Sequence, residues 1–174
     1  IALTADIEKI VHVSSIAAIG GKPEEVITEN TKWEKNKWTT QYGITKMLAE
    51  REIFRGIAEG LNAVIINPGI IVGWGKDDKA TMRIFKRIHH QKMPFYTNGE
   101  NGFVDAEDVA AICIRLSEMQ ITAERFIVIA ENISFKNYFY KIAAQLQVPP
   151  PKRMLTTFLA TLFILLDWIT SFIF

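Results

Sequence analysis

Two short stretches carry residue types that together can move a proton. VHVSSIAAIGG (residues 11–21) is an apolar run bearing Ser14 and Ser15, and YGITK (42–46) sets Tyr42 and Lys46 four residues apart. On a helix, residues at that spacing lie on one face. A lysine ammonium close to a phenol favours the phenolate, and such a tyrosine can give a proton to an alcohol or carbonyl oxygen, or take one from it. A serine hydroxyl at the end of an adjacent strand can hold the same oxygen. Each piece also has an ordinary meaning. Tyr-x-x-x-Lys occurs on solvated helix faces, and Ser-Ser after a strand is common turn chemistry. Order and context separate the two meanings.

The elements that must position these residues follow from the pattern. KIVHVSS (9–15) is a β-branched run suited to a strand buried on both faces. Residues 20–38 are polar and loop-like, with Pro23, Trp33 and Trp38. From Thr40 to Glu59, the positions of Ile44, Met47, Leu48, Ile53, Phe54 and Ile57 predict a helix, with Gly60 as its stop. NAVIINPGIIVG (62–73) predicts a second buried strand broken by Pro-Gly. A basic helix over 78–92, a short strand, an Asn-Gly turn pair and a helix from Ala106 come next. ERFIVIA (124–130) predicts a third strand, and residues 134–146 a helix capped by Ser134. Strands alternating with helices predict an α/β fold with a mainly parallel sheet. Open sheets of that kind place ligands beyond the carboxyl ends of their strands, where Ser14 and Ser15 stand.

In this order and at these spacings, VHVSSIAAIGG, YGITKMLAE, AVIINPGIIVGWG and GFVDAEDVA resemble the extended short-chain dehydrogenase/reductases, over residues 5–150. That superfamily includes the NAD-dependent epimerase/dehydratases, the dihydroflavonol-reductase-like proteins and the 3β-hydroxysteroid dehydrogenases. The resemblance implies the C-terminal part of a Rossmann-type parallel sheet with a small substrate-binding lobe. It implies Ser15 as the substrate-orienting serine, with Ser14 one position away as the alternative, and Tyr42 as the general acid/base. Lys46 would tune the tyrosine and bond the nicotinamide ribose, and Pro68, Gly69 and Ile70 would lie against the nicotinamide end of NAD or NADP. The function so implied is NAD(P)-dependent oxidoreduction at a CH–OH or carbonyl group. ITENTKW (27–33) and LAERE (48–52) give it a dihydroflavonol-reductase-like texture. The alternatives are a nucleotide-sugar epimerase/dehydratase and a non-catalytic binding protein of the same fold.

Members of the superfamily open with a βαβ unit carrying G-x-x-G-x-x-G, followed by a residue that selects NAD or NADP. Neither feature occurs in these 174 residues. The first strand resembles the family's fifth, so the chain is expected to be the catalytic and substrate-side half of a longer protein, inactive alone and poor at binding dinucleotide. The expected divisions are 1–73 for the catalytic part, 74–123 for most of the substrate-side lobe, 124–148 for a last strand and helix, and 149–174 for an apolar terminal helix.

A formal net charge of +1 gives no case for nucleic acid, and the expected partner is a small-molecule substrate; a homodimer is compatible. Cys113, in the helical run VAAICIRL, reads as a packing residue in a reducing, cytoplasmic setting. The histidines have no companions at metal-site spacing, so no metal is expected, and His12 reads as a packed core residue. Asp105 and Asp108 read as helix-capping acids. Arg83 and Arg87 read by default as a solvated face; the sharper reading is contact with an anionic substrate such as a sugar nucleotide. Trp74, with Trp33 and Trp38, would instead suit a lipophilic one. Residues 154–174 carry one charge, Asp167, and are long enough to cross a bilayer. Asp167 and the threonines leave a polar stripe, which favours a packing helix over a membrane span, with peripheral membrane attachment as the alternative.

Overall fold

The computed structural model describes residues 2–5, 7–22, 25–75, 80–156 and 161. Three parallel strands form the central sheet: β1 (Ile10–Val13), β2 (Ala63–Pro68) and β6 (Arg125–Val128), in the order β1-β2-β6. β2 lies in the middle, with Ile10 opposite Ala63 on one side and Ile65 opposite Arg125 on the other. All six of its residues are buried, as expected of a continuous apolar run covered on both faces. The side chains alternate. Val64 and Ile66 join Val104, Val128 and two residues of helix α3 (Ala106–Glu118), Val109 and Leu116, in the core on one face. Asn67 points to helix α1 (Gln41–Ala58) on the other.

α1 is cut to length by its ends. The Thr40 hydroxyl accepts from Gly43 N at 3.0 Å, and Gly60, at φ +101°, allows the chain to turn back beyond the last turn. α3 is capped in the expected way, with the Asp105 carboxylate accepting from Glu107 N at 2.7 Å.

The segment 62–73 is two strands in different sheets. After Pro68 the chain leaves the central sheet, and β3 (Ile70–Val72) pairs in parallel with β5 (Glu100–Asp105). Gly69 makes the step: a Cβ there would stand 2.3 Å from the Gly102 carbonyl oxygen. Of the two Asn-Gly pairs, Asn98–Gly99 lies in the bend before β5 and Asn101–Gly102 within β5, where Gly102 meets the Gly69 backbone and the Ile129 side chain. Residues 102–123 pack with residues 1–73, since β5 pairs with β3 and α3 covers the sheet. The chain divides into one compact unit of 1–73 and 102–131, and a second of 74–101 and 132–174.

The second unit holds α2 (Ala80–His89), β4 (Phe95–Tyr96) and α4 (Phe135–Gln145), with β4 paired in parallel to β8 (Arg153–Met154). β7 (Glu131–Ser134) leads into α4, whose first turn is capped by the Ser134 hydroxyl. Ile88 of α2 and Tyr138, Phe139, Ile142 and Ala143 of α4 are its buried residues of the two helices, and burial pushes the Tyr138 phenol up to about 12. Arg83 and Arg87 are exposed on α2. Among the described residues no helix is long and apolar enough to cross a membrane, and no group of three His, Cys, Asp or Glu is placed to hold a metal. Most of 154–174 lies outside the described residues.

Candidate active site

The carboxyl end of β1 turns at the two serines. Ser14 N donates to Ile66 O at 2.8 Å and so extends the ladder, and the side chain of Ser14 is enclosed, with 4% of the residue exposed. Ser15 is only half-buried. Its Oγ accepts from Ala17 N at 3.2 Å and caps a single 3-10 turn, Ile16–Ala18. With a lone pair held by that N–H, the hydroxyl proton is left to donate outward.

The first turn of α1 packs against this corner. Gly43 is the contact, since a Cβ there would come 2.7 Å from Ala17 O. On either side of it stand the two residues of interest. Tyr42 is 57% exposed, and Lys46 Nζ lies 6.0 Å from its ring centroid. The same ammonium donates to Val13 O at 3.5 Å, one residue before the serines. The structure thus brings Tyr42, Lys46 and the Ser14–Ser15 corner to one end of β1.

Beneath them is a buried polar cluster that sequence reasoning missed. Glu50, one helical turn beyond Lys46, is 1% exposed. One of its carboxylate oxygens accepts from Asn67 Nδ2 at 2.6 Å; the other takes Arg125 Nη2 at 2.6 Å. Asn67, fully buried, gives its second amide proton to Ser15 O at 2.8 Å. The available signal was the spacing Tyr42–Lys46–Glu50, i, i+4, i+8 on one face. His12 on β1 feels the same neighbourhood. Burial and then the Lys46 ammonium push its imidazole down, against a weaker upward pull from Glu50.

Pro68 ends β2, Gly69 is packed against Gly102, and Ile70 opens β3, so all three sit at the strand ends in the same unit. Trp74, Arg83 and Arg87 belong to the second unit, with Trp74 94% exposed. Trp33 instead lines a hollow of about 390 Å³ with Met47, Phe54 and Arg125, while Trp38 is exposed. Trp33 and Trp38 belong to the first unit and Trp74 to the second.

An ammonium, a phenol and a free hydroxyl proton at the ends of parallel strands suit a ribose and a reacting C–O group. Those residues fit the nicotinamide end of a dinucleotide.

Comparisons with known proteins give the family and the fold. Residues 1–130 match the model of the NAD dependent epimerase/dehydratase family. A curated relative in Synechocystis, named "Putative dihydroflavonol 4-reductase", is 30% identical over 165 residues, covering 91% of this chain and 48% of that protein. The chain thus spans about half the length of this relative. A nucleoside-diphosphate-sugar epimerase from Pseudomonas aeruginosa has the same fold, with a TM-score of 0.85 at 21% identity over 97% of this chain and 56% of its own. So does the enzyme WbmG from Bordetella bronchiseptica, solved with NAD and UDP (TM-score 0.72, 19% identity, 90% and 50% covered). The fold is an α/β Rossmann-type sheet, its serine, tyrosine and lysine stand at the strand ends, and the chain belongs to the NAD dependent epimerase/dehydratase family.

Proposed function

We propose that this chain supplies the acid/base and substrate side of an NAD(P)-dependent enzyme that works on a carbon bearing oxygen, with a nucleotide-linked sugar as the favoured substrate. The observation that carries the acid/base reading is the docking of α1 through Gly43, which sets Tyr42 and Lys46 beside the Ser15 corner. Ser15 donates its hydroxyl proton to the substrate oxygen, the role for which Ser14 is too deeply enclosed. Tyr42, as its phenolate, takes the proton from that oxygen when the carbon is oxidised and, as the phenol, returns it when the carbon is reduced. Lys46 holds the ribose and stabilises the tyrosinate by its charge. Pro68, Gly69 and Ile70 form the floor on the nicotinamide side. The bound nicotinamide supplies or accepts the hydride.

The substrate class is favoured by charge. The stretches 74–101 and 132–174, which form the second unit, carry ten Lys and Arg against four Asp and Glu; the remainder of the chain carries ten against fifteen. A net charge of +1 conceals this polarity. A basic lobe suits a diphosphate, with the guanidinium groups of Arg83 and Arg87 as its natural partners. The NAD and UDP carried by the Bordetella enzyme of the same fold support the same choice. A second reading, net reduction of a carbonyl in the dihydroflavonol manner, is favoured by the name of the curated relative.

Two measurements on the full-length protein decide. Tyr42→Phe should retain nicotinamide binding while turnover falls about 10²–10⁴-fold, the usual worth of a general acid/base; equal turnover would sink the acid/base assignment. Incubation with UDP-sugars and NAD should give an isomerised or dehydrated sugar with no accumulation of reduced cofactor. Stoichiometric NAD(P)H consumption with a ketone, and no action on UDP-sugars, would select the reductase instead.

A further inference from the structure

Glu50 and Asn67 have no part in the proton chemistry, yet they connect every element that carries it. Glu50 sits on the α1 face that also bears Tyr42 and Lys46. Asn67 sits on β2, and its amide reaches Glu50 at 2.6 Å and Ser15 O at 2.8 Å. Arg125, on β6, closes the chain of contacts on the far oxygen of Glu50. We propose that the buried Glu50–Asn67 pair is a positioning device that fixes the separation between the Tyr42–Lys46 face of α1 and the Ser15 corner.

The geometry supports this in three ways. A carboxylate and a peptide carbonyl are both acceptors, so only the NH₂ end of Asn67 can satisfy them, and both its protons are committed. The amide therefore has one orientation, and a rotation of α1 about its axis breaks the hydrogen bond to Glu50. Second, Ser15 is held through its own carbonyl, so the backbone from which its hydroxyl projects is registered directly against the helix that carries Tyr42. Third, Glu50 is 1% exposed and Asn67 fully buried, so no water competes for these bonds. Arg125 neutralises the buried carboxylate and fixes nothing at the serine itself. The network thus separates two tasks: the ion pair to Arg125 serves stability, and the amide to Asn67 serves alignment.

This inference rests on the acid/base reading proposed above, and the test keeps the two apart. In the full-length protein, Glu50→Leu removes the acceptor for Asn67, whereas Glu50→Gln keeps an amide oxygen for it and turns an NH₂ group to Arg125, losing that ion pair and its hydrogen bond. The Glu50→Leu protein should show kcat reduced about 10–100-fold, the scale of a misplaced reacting group, with KM for the nicotinamide cofactor within about threefold. Glu50→Gln should melt at a lower temperature than wild type yet recover most of kcat. Asn67→Leu, which leaves the Glu50–Arg125 pair intact, should lose kcat as Glu50→Leu does, and it decides the matter if Glu50→Leu does not fold. Loss of kcat in step with melting temperature across the three variants, or no loss in Asn67→Leu, overturns the proposal. If Tyr42→Phe abolishes turnover while Asn67→Leu does not, the positioning role alone fails; if Tyr42→Phe turns over normally, both readings fall.

Discussion

His12 shows how the site imposes conditions on a neighbouring residue. Burial, and next the Lys46 ammonium, keep its imidazole neutral to a lower pH than the ordinary value of 6.5. The unfolded chain therefore takes up a proton first as pH falls through that value. The His12 contribution to stability is present above pH 6.5, is lost as pH falls below it, and levels off once the folded imidazole also protonates. Thermal melts at a series of pH values should show this acid-side decline in the wild type and a shallower one in His12→Gln. Identical slopes in the two proteins would show that the imidazole is not held neutral by its surroundings. Glu50 is buried beside it, with one carboxylate oxygen taking the Asn67 amide and the other the Arg125 guanidinium.

At the scale of elements, the decisive contact is helix against turn. Gly43 lets α1 approach the Ala17 carbonyl, and the neighbour it would meet is backbone, which cannot swing aside. Gly43→Ala should lower the melting temperature by an amount equivalent to about 1–3 kcal/mol, the usual cost of overpacking, and should lower turnover more than Gly56→Ala. At Gly56 the obstructing atom is the end of the Leu61 side chain, which can move. A Gly43→Ala protein with wild-type melting and turnover would show that the helix does not rest on this contact. The parallel core was legible in the sequence because β-branched runs and a helical period declare themselves locally: the strand at 10–13, the strand from 63 and the α1 helix lie where the pattern puts them. The break at Pro68–Gly69 was legible, but that its two halves enter different sheets was not, nor was the strand through Asn101–Gly102. Both depend on Gly69 and Gly102 touching across 33 residues of chain, and a glycine in sequence does not tell a turn from a close approach. Tyr42 and Lys46 were found by spacing, whereas Glu50 looked like any charged helix residue until Asn67 and Arg125 were seen around it.

For the whole molecule, the edge of the central sheet is the exposed quantity. β1 pairs with β2 on one side, and its other side has no strand partner among the described residues. Ile10 and Val11 are only partly covered and Val13 is 42% exposed. An apolar edge of this kind recruits other strands. Residues 1–174 produced alone should therefore sediment as concentration-dependent oligomers, and a monodisperse monomer at high concentration would contradict that expectation.

The arrangement of the central sheet also fixes a timetable for assembly. Its middle strand joins Ile10 to Ala63 and Ile65 to Arg125, so the two parallel pairings close loops of roughly 50 and 60 residues. On a ribosome, β2 emerges long before its second neighbour and must wait, largely apolar, until β6 follows. The Asn67 amide can meet Glu50 as soon as α1 folds back, but the carboxylate gains its guanidinium only when Arg125 arrives. The ion pair therefore closes last: the Asn67 amide can set α1 against the serine corner early, and Arg125 locks the carboxylate only after the last strand of the sheet has been made.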